Sequence, residues 1–337
     1  MAGAQPQRLR VLSLLPAATD IVQCLGLSHL LVGRSHECDA EGCLSVPSCT
    51  ESRFGEPDQL SSREIHDANS TSGAGLWEAA FGMGPQAAAA VEWGLSPYRT
   101  DPRLIRELQP DVVLTQVQTG HGALDQSEVG DRLSECVGKP VRIVHMDPQN
   151  LEDVWGDFLQ VANALHEPEK GRVAVEQMKD RIRLVQGLAK GRQKRRVLCL
   201  QWMDPLFAAG AWVPELLSLA GGESVAAEAG GPSVALTEES LTEVRPEVVI
   251  FAICGCDLKQ SVKEVTSAAK RGILEHVERV KVGKLAMAVV NAAKLFSRPG
   301  PTLVESLEVI AEVLYPESQP FGHRGKLWTS LELLQST

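Results

Sequence analysis

No stretch of this sequence reaches the ~18 consecutive apolar residues that mark a membrane-spanning helix, so no transmembrane segment is expected. The first residues, MAGAQPQRLR, run straight into VLSLL, and Pro16, Thr19 and Asp20 then break the apolar run. A secretory leader needs a basic start, an unbroken apolar segment and a small-residue cleavage site. The chain is therefore expected to carry no export signal and to reside in the cytoplasm or another non-secreted soluble compartment. Positive charge is also scarce. Lysine and arginine number 33 against 43 aspartates and glutamates, a formal net charge of −10. That argues against nucleic acid or an anionic membrane as partner. Nucleotide-binding glycine patterns are missing as well, with neither GxxxxGK[ST] nor a GxGxxG behind a strand-like run. Nor is there a GxSxG nucleophile elbow.

Paired cysteine spacings are missing too. The eight cysteines are scattered from Cys24 to Cys256. Cys38, Cys43 and Cys49 lie near His36, and Cys254 and Cys256 stand as an isolated pair. Neither group repeats the short paired spacing of a structural zinc site. Reduced thiols are expected, with metal ligation kept as an alternative.

What the sequence does contain is a repeat. Its 337 residues, 44% of them hydrophobic, suffice for two domains with real cores. Residues 11–15 form an apolar run ended by Pro16. A helix follows that Gly26 stops, and then a second short strand at 30–32. Residues 196–225 follow the same plan, with Pro214 in the first turn of the helix and Gly221 and Gly222 at its end. LIRELQPDVVLT (104–115) and SLTEVRPEVVIF (240–251) align on Pro110 and Pro246. Each gives helix, proline, acid, strand. Strands at 141–144 and 285–290, each followed by a helix, close the two halves. Alternating strands and helices predict parallel sheets with right-handed crossovers.

The fold class is therefore α/β, with two similar lobes joined by a long helix. Residues 1–150 make the N-terminal lobe, with an insertion at about 51–98. Residues 151–194 form a helical linker, and 195–337 the C-terminal lobe and tail. Within the linker, Val173, Met178, Ile182 and Val185 give an apolar face to a helix of ~15–20 residues, ~25–30 Å long at 1.5 Å per residue. The basic cluster Lys190, Arg192, Lys194, Arg195 and Arg196 reads as a solvated turn.

In open parallel sheets, ligands sit outside the carboxyl ends of the strands. That rule nominates loops. After the first strand, Pro16 and Ala17 open a helix whose amides suit a polar ligand edge or simply cap the helix. After the second come Arg34, Ser35, His36, Glu37, Cys38 and Asp39, the most chemically loaded run in the chain. Such groups bind metal, exchange protons or hold a ligand's polar rim. Gln116 and His121 follow the third strand, and His121 is either a metal ligand or an ordinary loop residue. The second half supplies Gln201, Trp202, Asp204 and Trp212. Trp202 offers a platform for a flat ligand, and Trp212 is either pocket or core. Cys254 and Arg298 follow later strands. A strand-end thiol pair binds metal or sits inert. The arginine forks onto an anionic ligand or onto an acid of the protein.

The runs VLSLLPAATDIVQCLGLSHLLVGRSHECD (11–39), LIRELQPDVVLTQ (104–116), LQWMDPLFAAGAWVPELLSLAGGE (200–223), CGCD (254–257) and RPGP (298–301) resemble the substrate-binding proteins with a single helix between the lobes. They are most similar to periplasmic cobalamin receptors and their relatives without an export signal. The resemblance implies non-catalytic binding of a small ligand in the interlobe cleft, either a cobalamin-like corrinoid, another tetrapyrrole or a metal chelate. Without an export signal, a transporter partner is not expected. The alternative is a metal- or thiol-dependent enzyme on the same scaffold, using His36, Glu37, Cys38, Asp39 and His121 with Asp204, Cys254 and Cys256.

Overall fold

The computed structural model describes residues 8–52, 95–96, 98–116, 126–275, 285–317 and 321–331. His121 and nearly all of the insertion at 51–98 lie outside these residues. The chain divides into two compact units. The first runs to Asp147 and takes back Trp155–Val175; the second holds Pro148–Val154 and Glu176 onward.

In the first unit the strands are β1 (Val11–Ser13), β2 (Leu31–Gly33), β5 (Val112–Thr115) and β6 (Arg142–His145). They form one sheet in the order β2-β1-β5-β6, and every pairing is parallel. A separate two-stranded ribbon joins β3 (Thr50–Glu51) to β4 (Arg99–Thr100), antiparallel. The helices are α1 (Pro16–Cys24), α2 (Pro102–Leu108) and α3 (Gln126–Val137). Helix α1 has Pro16 in its first turn, where a missing N–H costs nothing. Helix α2 is capped by Asp101, whose carboxylate accepts from the amides of Arg103 and Leu104 at 3.0 and 3.1 Å. Leu12, Leu14, Ile105, Val113, Val129 and Leu133 fill the core on one face of the sheet.

Helix α4 (Leu151–Ala164) and helix α5 (Pro168–Ala189) come next. At 22 residues, α5 exceeds the expected length. Val175, Met178, Ile182 and Val185 are buried at helical spacing, whereas Val173, expected on the same face, is 48% exposed. The apolar face therefore starts at Ala174 and Val175.

The second unit contains β7 (Arg195–Met203), β8 (Leu206–Ala208), α6 (Val213–Leu219), β9 (Gly222–Ser224), β10 (Val234–Ala235), α7 (Glu238–Val244), β11 (Val248–Phe251), α8 (Leu258–Lys270), β12 (Ala286–Val290), α9 (Leu303–Leu314) and β13 (Trp328–Ser330). Its parallel strands run β9-β7-β11-β12, the same order as in the first unit. Antiparallel β8, β10 and β13 widen this sheet.

The repeat extends to single hydrogen bonds. Gln109 and Arg245, each just before the aligned proline, both end a helix in the left-handed region, at φ 45° and 40°. Asp111 accepts from the amide of Arg10 at 2.8 Å, and Glu247 accepts from the amide of Arg196 at 2.9 Å. The side chain of Arg10 donates to the Leu108 carbonyl, and that of Arg196 to the carbonyls of Val244 and Arg245. In both units an arginine at the start of the first strand satisfies the open carbonyls of a helix end. The acid after the proline then pins that strand. Burial acts to raise the Asp111 carboxyl. The Lys139 hydrogen bond and the Arg10 amide outweigh it and hold the group below its ordinary value.

The connection after the first strand of the second unit is in part a hairpin. The strand at 197–200 continues to Met203 and turns back as a hairpin, with Trp202 opposite Phe207 and Met203 opposite Leu206. Trp202 and Asp204 therefore sit at a hairpin tip and not in a strand-to-helix loop. The run LQWMDPLF, with Pro205 at its turn, carries extended pairing into what looked like a connection. In the basic cluster, Arg192 pairs with Glu317 and stacks on Tyr315, and Arg195 donates to the Leu314 carbonyl.

The C-terminal segment is fastened by buried acids. Glu312, fully buried on α9, accepts from the amides of Phe321 and His323 and from the indole of Trp328. Glu308 receives Arg181 of α5 at 2.8 Å and lies 2.8 Å from the His323 ring.

Candidate functional site

Each sheet presents the carboxyl ends of its parallel strands, and the nominated side chains are placed there. In the first unit, β1 ends at the start of α1. There Ala17 is buried and Pro16 is half-buried. Thr19 of α1 donates to the Ser13 hydroxyl at 2.8 Å and lies 3.0 Å from the Cys38 sulfur. This buried contact ties the loop after β2 to the first strand and helix. Arg34 adds hydrogen bonds to the carbonyls of Ser35 and Cys38.

Ser35 is fully buried, and its hydroxyl meets the Glu37 amide and the Thr50 hydroxyl. Its place is that of a brace. His36 stands half-buried above it. The His36 amide donates to Thr50 Oγ1 at 2.9 Å, and its ring Nδ1 lies 2.7 Å from the same oxygen. Tyr98 packs edge-on against the imidazole, with ring centres 4.7 Å apart. Nε2 faces the Glu37 carboxylate at 3.4 Å. Burial lowers the His36 pKa; Glu37 and Glu51 oppose that shift and Arg34 adds to it. The imidazole is thus neutral at neutral pH. Gln116 follows β5, half-buried. At the end of β6, His145 is likewise held low by burial, against the pull of Asp147.

Cys38 takes no part in surface chemistry. It is buried, and desolvation pushes its thiol up to about 11 despite the Thr19 hydrogen bond. Cys49 rises to about 12 for the same reason. A thiol in that range holds almost no thiolate at neutral pH. Among the described residues, no three histidine, cysteine, aspartate or glutamate side chains gather where they could hold a metal ion.

In the second unit a connected set of contacts runs along the strand ends. Gln201 at the end of β7 donates to Ser233 at 2.6 Å, and its carbonyl accepts from the Cys254 amide at 2.9 Å. Gly255 donates to the Ser297 hydroxyl at 3.3 Å. The neighbouring Phe296 carbonyl takes the Trp212 indole N–H at 3.1 Å. Trp212 is thus anchored at its nitrogen, at the cap of α6, with its ring half-buried. Trp202 is half-buried too, its N–H closed onto the Asp204 carbonyl at 3.1 Å. Cys254 is exposed and Arg298 is buried. Residues 201, 212, 254 and 296–298 therefore share one edge.

Thr50, Tyr98, His145, Ser233 and Ser297 are the neighbours that sequence reasoning missed. Only Ser297 carried a signal, as the residue directly before RPGP. Thr50 and Tyr98 come together through the ribbon of β3 and β4, which no pattern announced.

The sequence profile of the periplasmic binding protein family matches residues 104–281. A vitamin B12-binding protein of Yersinia pestis is 25% identical over 170 residues, covering 50% of this chain and 58% of that protein. The chain thus spans less than two thirds of that relative's length. Among solved structures, an ABC transporter substrate-binding protein from Listeria monocytogenes aligns with a TM-score of 0.62 at 16% identity, over 92% of this chain and 100% of that one. A periplasmic haem-binding protein from Pseudomonas aeruginosa gives 0.58 at 18% identity, over 95% and 97%. These two likenesses show the fold alone. The family match overturns the expectation of a cytoplasmic or other non-secreted compartment, since the family is that of periplasmic binding proteins. Reading no export signal in the first residues does not carry that expectation.

Proposed function

The chain belongs to the periplasmic binding protein family, and from that premise we propose that it binds a small ligand without transforming it, at the carboxyl ends of its parallel strands. The ligand class is a tetrapyrrole, either a cobalamin-like corrinoid or a haem-like macrocycle, or a related metal chelate. The observation that carries this reading is the edge of the second unit. It joins the half-buried Trp212 to Gln201, Cys254 and Ser297 through contacts along the loops that follow the parallel strands, and half-buried Trp202 is the next residue after Gln201 on β7. Apolar faces with a few fixed polar groups are what such ligands require. On the first unit, Pro16, His36, Glu37 and Gln116 are the candidate ligand groups, with Ser35 bracing the loop that carries His36 and Glu37. His121 and the buried Arg298 complete the proposed set. The Yersinia relative is named for vitamin B12 and the Pseudomonas structure for haem, which supports the ligand class. The Listeria neighbour serves an ABC transporter. Delivery to such a transporter is therefore part of the proposal, in place of the expectation that no transporter takes part. Among the described residues, no helix is long and apolar enough to cross a membrane.

Equilibrium dialysis of the purified chain against cobalamin, haem and a ferric chelate tests the reading. Saturable binding of at least one is expected. No retention of any of the three at ligand concentrations near millimolar, an interaction of only ~4 kcal/mol, would refute it.

A further inference from the structure

Between β11 and α8 the chain makes a tight turn closed by the Cys256 amide on the Ile253 carbonyl at 3.0 Å. Gly255 in this turn has a φ of +73°. A positive φ at the third of four turn residues is the type II pattern, which selects glycine. Cys254 and Cys256 flank that glycine. Even in a fully extended chain, residues two apart are separated by at most ~7 Å. Folded at a turn they come nearer, into the ~4.4–6.8 Å Cα separation from which a disulfide closes.

The turn is held on each side. Cys254 donates to Gln201 of β7, Gly255 donates to Ser297, and Ala293 donates to the Cys256 carbonyl at 2.9 Å. Asp257 and Gln260 then cap α8 reciprocally, each bond 2.7 Å. The two thiols are thus set by the backbone on the ligand edge of the second unit.

The remaining cysteines differ. No disulfide joins any of the eight. Cys38, Cys43, Cys49, Cys136 and Cys199 are buried, and burial raises every one of these thiols. Cys24 is exposed on α1, in the other unit. Cys254 is exposed and Cys256 half-buried, so Cys254 is the more accessible of the two.

We propose that Cys254 and Cys256 form a redox couple that small disulfides oxidise to an intramolecular bond. The Cys254 thiolate attacks one sulfur of R–S–S–R, forming a mixed disulfide and expelling RS⁻. Cys256 gives its proton to solvent and attacks the Cys254 sulfur, expelling the second RS⁻. Two protein thiols lose two electrons, and one small disulfide becomes two small thiols. Only the consequence rests on the proposed function: the ligand then meets either a dithiol or a disulfide. The couple itself stands or falls without any ligand.

The test is incubation of the full chain in mixtures of glutathione and glutathione disulfide, followed by peptide mass spectrometry. The peptide holding both cysteines should lose two hydrogens, carry no lasting glutathione and regain the hydrogens with dithiothreitol. Cys256→Ser should instead trap glutathione on Cys254, because nothing resolves the mixed disulfide. Cys254→Ser should leave the position unoxidised. Stable glutathione on Cys254 of the wild type, or two unchanged thiols even in glutathione disulfide without added glutathione, would overturn the proposal.

Discussion

His36 shows how one residue's surroundings fix its chemistry. Thr50 and Tyr98 hold the ring, and burial lowers its pKa. With the folded-state pKa below the unfolded value of ~6.5, the unfolded chain takes the proton more readily. The stability linked to this group is present above that value and is lost as pH falls through the folded pKa. His145 acts in the same direction. Thermal midpoints measured from ~pH 7 down to pH 5 should therefore fall less steeply for His36→Gln than for the wild type. Equal slopes would contradict the account of its burial. For Cys38, the expected cost of substitution is packing alone. Cys38→Ala should lower stability by about 1–2 kcal/mol and leave ligand affinity unchanged. His36 and Cys38 were singled out together because they share a polar run. Composition places that run at a strand end, but it does not say which side chains turn inward. Ser35 and Cys38 do, and His36 and Glu37 stay half-buried.

At the scale of elements, the repeated clip is the most specific feature. Asp111 and Glu247 each hold the backbone at the start of a strand, and each follows a proline that follows a left-handed residue. Asp111→Ala and Glu247→Ala should each cost about 1–2 kcal/mol, the scale of a lost hydrogen bond to a charged group. Denaturant titration reads both, and a null effect at either position would mean that the clip follows the fold without supporting it. Glu312 carries more. Its removal strands two amides and an indole N–H in a buried place. Glu312→Ala should cost about 3 kcal/mol or more and speed hydrogen exchange at Trp328–Ser330 before elsewhere. Parallel strands and their flanking helices were legible because prolines, glycines and apolar runs mark their ends. The β7–β8 hairpin and the β3–β4 ribbon were not. β8 is only three residues long and lies in what reads as a strand-to-helix connection, and two-residue strands such as β3 and β4 have no periodicity to detect.

At the scale of the whole molecule, the aligned prolines at 110 and 246 predict a duplicated α/β design, and the two sheets share one strand order. The candidate site was legible as a set of strand ends, not as a set of contacts. Trp202 was nominated for a loop and stands on a hairpin, and Trp212 turned out to be tethered through its nitrogen to Phe296. The central claim is that the second unit's aromatic edge holds a flat ligand. It is tested most directly by the affinity of Trp202→Ala for whichever tetrapyrrole the wild type binds. Loss of a central aromatic anchor costs on the order of 2 kcal/mol or more, about thirtyfold in Kd. A Kd weakened by that factor, with the thermal midpoint little changed, is the predicted result; an affinity equal to that of the wild type would contradict it.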